Sequence, residues 1–189
     1  MARWIPDAEG RLRQAALELF TEHGYDNVTV TQIAERAGLT RRSFFRYFPD
    51  KREVLFAGSE QLPVAIAEAI RAVPATTAPL AAVFEALTAI GTQLVELVDG
   101  IAERRAVIDA SPELQERERT KAAAITSAIR DALGERDVPQ RAAILLAQVA
   151  SVVFQNAFQC WVDAGGTRSF ADCLDEVTAT LRDALSTQD

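Results

Sequence analysis

The sequence predicts an all-helical protein built in two parts. Apolar residues recur at three- and four-residue spacing from end to end, and no useful length keeps the two-residue alternation of a half-buried strand. Charge divides the chain. Residues 1–56 hold nine Lys or Arg against eight Asp or Glu, whereas residues 57–189 hold eleven against nineteen. The acidic excess behind the net charge of −7 therefore belongs to the second part.

The elements follow in order from their start and stop signals. Asp7 precedes a stripe of Leu12, Ala15, Ala16, Leu19 and Phe20, and Gly24 supplies the break past the helix end. Thr29 with Gln32 fits a capping box for a short second helix whose inner face is Ile33, Ala34 and Ala37, and Gly38 ends it. Thr40 caps a third helix, on which Phe44 and Phe48 point inward together before Pro49. Asp50 with Glu53 opens a fourth helix, predicted to run towards Gln61 and to bend or break at Pro63.

Beyond a Pro- and Thr-containing connector at residues 73–79, four long helices are predicted at residues 80–98, 112–133, 139–164 and 169–185, with a short one at 101–109. Gly100, Gly134, Gly165 and Gly166 punctuate them. Residues 1–49 read as an N-terminal three-helix domain, and residues 50–189 as a C-terminal helical bundle.

Composition excludes several function classes. A chain of 189 residues, 49% apolar, buries a core without metal or disulfide staples. Cys160 and Cys173 are far apart in sequence, lack zinc-type spacing and follow no recognisable signal peptide, so a reducing cytoplasmic setting without a disulfide framework is expected. His23, the only histidine, falls in the last turn of the first helix with no carboxylate pair or cysteine close in sequence, and no glycine-rich phosphate loop occurs. No enzyme, metal site or cofactor is expected. The uncharged run at residues 142–162 is long enough to cross a bilayer, but Gln148, Ser151, Gln155, Asn156 and Gln159 are costly in lipid, so it reads as a helix enclosed by protein.

Residues 31–52 carry six positive charges against two negative ones, inside an otherwise acidic chain of pI about 4.9. Two short helices joined by a glycine turn behind a longer helix form a helix-turn-helix, whose second helix enters a DNA major groove. On that helix Arg41 with Phe45, and Arg42 with Arg46, form adjacent outward ridges. Arg41 and Arg42 stand in its first turn, where a guanidinium forks to guanine O6 and N7, and so are the candidates for sequence readout. Thr29, Thr31, Ser43, Tyr47 and Lys51 are the candidates for phosphate contacts that fix register, and Thr40 and Arg46 complete the expected DNA-binding set. The free N–H groups opening the fourth helix offer a further phosphate site. The bland alternative is a solvated arginine-rich face on a helix-turn-helix that does not touch DNA.

The stretch GYDNVTVTQIAERAGLTRRSFFRYFPDKREVL, residues 24–55, closely resembles the DNA-binding region of the TetR family of bacterial transcriptional regulators. The Thr-Val near its start, the Ile-Ala-x-x-Ala-Gly core and the Tyr-Phe-x-x-Lys close carry the likeness. The resemblance implies a homodimer on a palindromic operator, repression, and a C-terminal domain that holds a small-molecule inducer and forms the dimer through its last two long helices. Many family members carry Tyr where this chain has Phe45. Phe45 cannot repeat that hydroxyl's phosphate contact, which leaves it an apolar contact such as a thymine methyl.

For the second part, Phe84, Leu87, Phe154, Phe158 and Trp161 are candidates to line a ligand pocket, with Gln93, Arg104, Asn156 or Gln159 as polar anchors; ordinary core or interface is the competing reading. The stretch ERRAVIDASPELQERE, residues 103–118, loosely resembles a TetR-family C-terminal domain associated with acyl-CoA-like ligands, which implies a lipophilic or acyl inducer. Control by a protein partner, or a bundle that only dimerises, stays open, as does an enzyme built on the bundle. The fourth helix is expected to be the one covalent link between the parts and hence the lever between them.

Overall fold

The computed structural model describes residues 7–97, 100–165 and 167–186. Val98 and Gly166, placed by sequence at a helix end and in a turn, lie outside them. Among the described residues all regular structure is helical: α1 (Ala8–His23), α2 (Val30–Arg36), α3 (Arg41–Tyr47), α4 (Glu53–Phe56), a 3-10 turn (Ser59–Gln61), α5 (Leu62–Ala72), α6 (Pro79–Leu97), α7 (Ile101–Asp109), α8 (Pro112–Gly134), α9 (Gln140–Asp163) and α10 (Phe170–Ser186).

Local chemistry sets these limits. Asp7 accepts from the Gly10 N–H at the head of α1, and the stripe from Leu12 to Phe20 is buried as predicted. Both halves of the Thr29–Gln32 capping box are present at α2, and Thr40 accepts from the Ser43 N–H at α3. The turn between them needs Gly38, whose φ of +66° is a left-handed conformation with no Cβ penalty.

The fourth helix departs from expectation. Asp50 does supply the cap, its Oδ1 accepting from the Arg52 and Glu53 N–H groups at 2.8 and 3.1 Å, but α4 lasts four residues rather than reaching Gln61. The chain turns at Gly58, φ +81°. Pro63 breaks nothing, because it sits in the first turn of α5, where a missing N–H costs no helical bond. The Arg52 and Glu53 N–H groups at the opening of α4 are thus engaged by the Asp50 carboxylate rather than free for the expected phosphate.

The chain folds into two compact units, and their limits differ from the 49/50 boundary read from sequence. The first comprises residues 1–60 and 103–119, the second residues 61–102 and 120–189. In the first, α1 to α4 share one core with Val107 and Ile108 of α7 and Leu114 of α8. That burial draws α7 and the first turns of α8 into the N-terminal unit. The chain therefore passes between the units three times, and α4 is not the single covalent link.

The second unit packs α5, α6, the later turns of α8, α9 and α10 around Ile66, Ile70, Leu87, Ile129, Leu133 and Phe170. Gly91 on α6 is required there: a Cβ built on it falls 2.1 Å from the Phe170 ring, which in turn stacks 5.4 Å from Phe154. Arg136 closes the loop after α5 by donating to the carbonyls of Ile70, Val73, Pro74 and Thr77.

Helix α9 has the length and apolar composition to cross a membrane, with a third of its most apolar window buried. Its inner face is Ala143, Ala147, Ala150, Val153 and Ala157. Its outer face is uncharged from Ile144 to Gln159, with Leu145 and Val152 about three-fifths exposed. Enclosure on most sides, the sequence expectation, is thus not met within one chain.

Candidate nucleic-acid interface

Helix α3 divides into a buried and an exposed face. Phe44 and Phe48 anchor it, their rings 5.4 Å apart and buried against α1 and α2 residues. Arg41, Arg42, Phe45 and Arg46 point to solvent, and Phe45 leaves 45% of its surface exposed, a large apolar area on an otherwise cationic face. The Arg41 guanidinium lies over the Phe45 ring at 5.4 Å, and the Arg46 guanidinium lies 4.8 Å from the Tyr47 ring while donating to its hydroxyl at 2.9 Å. Such stacking pre-orders long side chains, with one Arg46 N–H already committed to the Tyr47 hydroxyl. Thr40, Arg42, Ser43, Phe45 and Arg46 line an open hollow on this face.

The hydroxyl candidates surround it. Thr40 and Ser43 Oγ atoms are 3.0 Å apart, and each keeps further hydrogen-bonding capacity. Thr29 and Thr31 are exposed at the head of α2, with Thr29 engaged in its capping box. The face carries no acidic side chain from Thr40 to Tyr47.

Lys51 stands apart from this group. Its ammonium donates to the Tyr25 and Val28 carbonyls at 2.7 and 3.0 Å and lies 3.9 Å from the Tyr25 ring centroid. Burial holds it below the ordinary lysine value. Two of its three N–H bonds thus brace the loop that leads into α2. Tyr25 itself is buried, its hydroxyl 3.3 Å from Glu113 on α8, and desolvation first, then Glu113, raises its pKa far above the ordinary value.

Sequence reasoning missed the supports of this frame. Arg11 on α1 donates to the Ala37 carbonyl at the end of α2. Arg117 on α8 pairs with Glu53 on α4, and Arg104 on α7 donates to the Leu55 carbonyl at 2.6 Å beside the Phe56 ring. These partners are separated by tens of residues, and periodicity carries no signal for them.

Residues 12–57 match the family model for bacterial regulatory proteins, tetR family. The chain carries a tetR-family DNA-binding domain. A relative in Streptomyces glaucescens, the HTH-type transcriptional regulator TcmR, is 39% identical over 80 residues, which cover 42% of this chain and 35% of that one. The chain matches about a third of the length of its curated relatives. Among solved structures, NalD, the secondary repressor of the MexAB-OprM multidrug efflux pump in Pseudomonas aeruginosa, is 16% identical, with TM-score 0.61 over 92% of this chain and 93% of that one. Thermus thermophilus FadR, a TetR family transcriptional repressor in complex with lauroyl-CoA, is 21% identical, with TM-score 0.53 over 92% of each chain. These likenesses show that the fold of most of the chain, beyond residues 12–57, is shared with those structures.

The pocket candidates are placed differently from one another. Phe84, Leu87, Phe158 and Trp161 belong to the second unit's core or pack on it, with Leu87 fully buried and the Phe158 and Trp161 rings 6.0 Å apart. Gln93 is exposed. Asn156 and Gln159 lie on the outer face of α9 and bond within that helix, to the Val152 carbonyl and to Asp163. Arg104 belongs to the first unit, where burial lowers its guanidinium's pKa and its Nε donates to the Leu55 carbonyl.

Proposed function

We propose that the protein is a transcriptional regulator, a repressor that binds a palindromic operator as a homodimer and releases it when a small lipophilic or acyl ligand occupies the C-terminal unit. One observation carries this reading: a helix anchored by Phe44 and Phe48 and free of acidic side chains presents Arg41, Arg42, Phe45 and Arg46 to solvent. Arg41 and Arg42 read guanine edges, and Phe45 meets a thymine methyl. Thr29, Thr31, Thr40, Ser43, Arg46 and Tyr47 hold phosphates. Lys51 acts chiefly from behind, ordering the loop that delivers Thr29.

The uncharged outer face of α9 supports the homodimer. Ile144, Leu145 and Val152 supply apolar area, and Gln148, Gln155, Asn156 and Gln159 bond across a twofold interface without the cost of burying charge. The two α3 helices then meet successive major grooves about 34–36 Å apart. For the ligand, Phe84, Phe158 and Trp161 are the candidate lining, and support comes from the acyl-CoA complex of a protein with this fold. Ligand binding shifts α7 and α8, and Arg104 and Arg117 pass that shift to α4.

Fluorescence anisotropy against the intergenic DNA beside the protein's own gene tests the reading. A salt-sensitive preference for that duplex over a scrambled one, reversed by lauroyl-CoA with a rise in melting temperature, is expected. Binding that no acyl-CoA or fatty acid reverses points to a protein-controlled regulator; no preference for any genomic fragment rejects DNA reading.

A further inference from the structure

The two cysteines, thirteen positions apart in sequence, meet in the fold. Cys160 lies in the last turn of α9 and Cys173 in the first turn of α10, with their sulfurs 2.7 Å apart. Both are free thiols. A covalent pair needs about 2.05 Å, so the sulfurs have to close by roughly 0.65 Å, a movement that side-chain torsions accommodate. The surroundings differ sharply: Cys173 is fully buried, whereas Cys160 is only partly so. Arg168, in the turn between the helices, presents Nη1 to the Cys160 sulfur at 3.4 Å while pairing with Glu176 and reaching the Asp172 carbonyl.

We propose that Cys160 and Cys173 are a reversible oxidation site, converted by a peroxide into an intrachain disulfide that ties the end of α9 to the start of α10. Cys160 is the attacking sulfur, because it is the one with access and with a guanidinium N–H ready for the negative charge it carries in attack. Its sulfur takes the distal peroxide oxygen as the O–O bond breaks, giving a sulfenic acid and water or an alcohol. Cys173 then attacks that sulfur, the S–O bond breaks, and the departing hydroxyl leaves as water with the Cys173 proton. Two thiols lose two electrons and the peroxide gains them. Burial pushes the Cys173 thiol up to about 11, which suits a resolving partner that stays protonated until its neighbour is oxidised. The site stands on the geometry of the second unit alone and does not depend on the DNA-binding reading.

The full-length protein treated with hydrogen peroxide should lose two hydrogens by intact-mass spectrometry, lose both thiols to a maleimide probe, and recover them with dithiothreitol. The oxidised form should melt about 5–10 °C higher than the reduced form, as expected for a bridge closing a loop of this size. Cys173→Ser should stop at a sulfenic acid trapped by dimedone, whereas Cys160→Ser should give no adduct. Arg168→Gln should slow the oxidation several-fold without changing its product. Two maleimide-reactive thiols after peroxide treatment, a disulfide joining two chains, or equal dimedone labelling of both single variants would overturn the assignment.

Discussion

The ammonium of Lys51 lies 2.7 Å from the carbonyl oxygen of Tyr25 and 3.9 Å from the centroid of the same residue's ring, so one side chain grips both the backbone and the face of another. Together with the Val28 carbonyl, it makes a lysine in a cationic sequence stretch a support of the fold. Replacing it with methionine keeps the stem and removes the donors. Lys51→Met should cost about 2–4 kcal/mol, because two charge-assisted hydrogen bonds vanish and their carbonyls lose partners. Urea denaturation followed by circular dichroism measures this. Unchanged stability with uniformly weaker DNA binding would instead make Lys51 a phosphate contact.

That contrast shows what the sequence does and does not carry. The two faces of α3, the Thr29–Gln32 box and the Thr40 cap are readable because each depends on spacings of three or four residues. The grip of Lys51 on Tyr25 spans 26 positions, and the burial of Leu114 with Phe56 spans more, so neither leaves a periodic trace. The length of α4 does not follow the apolar pattern that runs on to Gln61, because the chain turns at Gly58, and Pro63 is as good a helix opener as a breaker. The meeting of Cys160 with Cys173 depends on how α9 and α10 pack, which spacing alone does not set.

Asp50 gives a pH-dependent prediction. The Arg52 guanidinium, then the backbone N–H groups of Glu53 and Arg52, hold its carboxyl below the ordinary 3.8, against an opposing burial effect. A depressed folded-state value means stability that is fully present above the unfolded pKa and lost as pH falls through the folded one. The stability difference between the native protein and Asp50→Ala should therefore be about 0.5–2 kcal/mol at pH 7 and shrink below pH 3.8. Paired urea titrations at pH 7 and pH 3 measure it.

Gly91 tests the packing of α6 on α10. A methyl group there meets the Phe170 ring, so Gly91→Ala should destabilise the second unit by about 1–3 kcal/mol. Adding Phe170→Leu, which trims the obstructing ring, should return part of that loss in a thermal melt.

The four carbonyls held by Arg136 predict where the chain becomes cleavable. Arg136→Met should leave the Ile70, Val73, Pro74 and Thr77 carbonyls without this donor and cost about 1–3 kcal/mol. Limited proteolysis should then cut within residues 73–79 at protease levels that leave the native protein intact.

The exposed face of α3 is proposed to read base sequence through its first-turn arginines. The direct measurement is the affinity of the native protein and of Arg42→Ala for the operator, for operators changed one base pair at a time, and for a scrambled duplex, at two salt concentrations. Arg42→Ala should cost about 1–3 kcal/mol on the operator, lose discrimination at one base pair per half-site and bind the scrambled duplex nearly as the native protein does. An equal loss on every duplex, with the base preferences intact, would contradict base readout and leave the arginine a contact to phosphate alone.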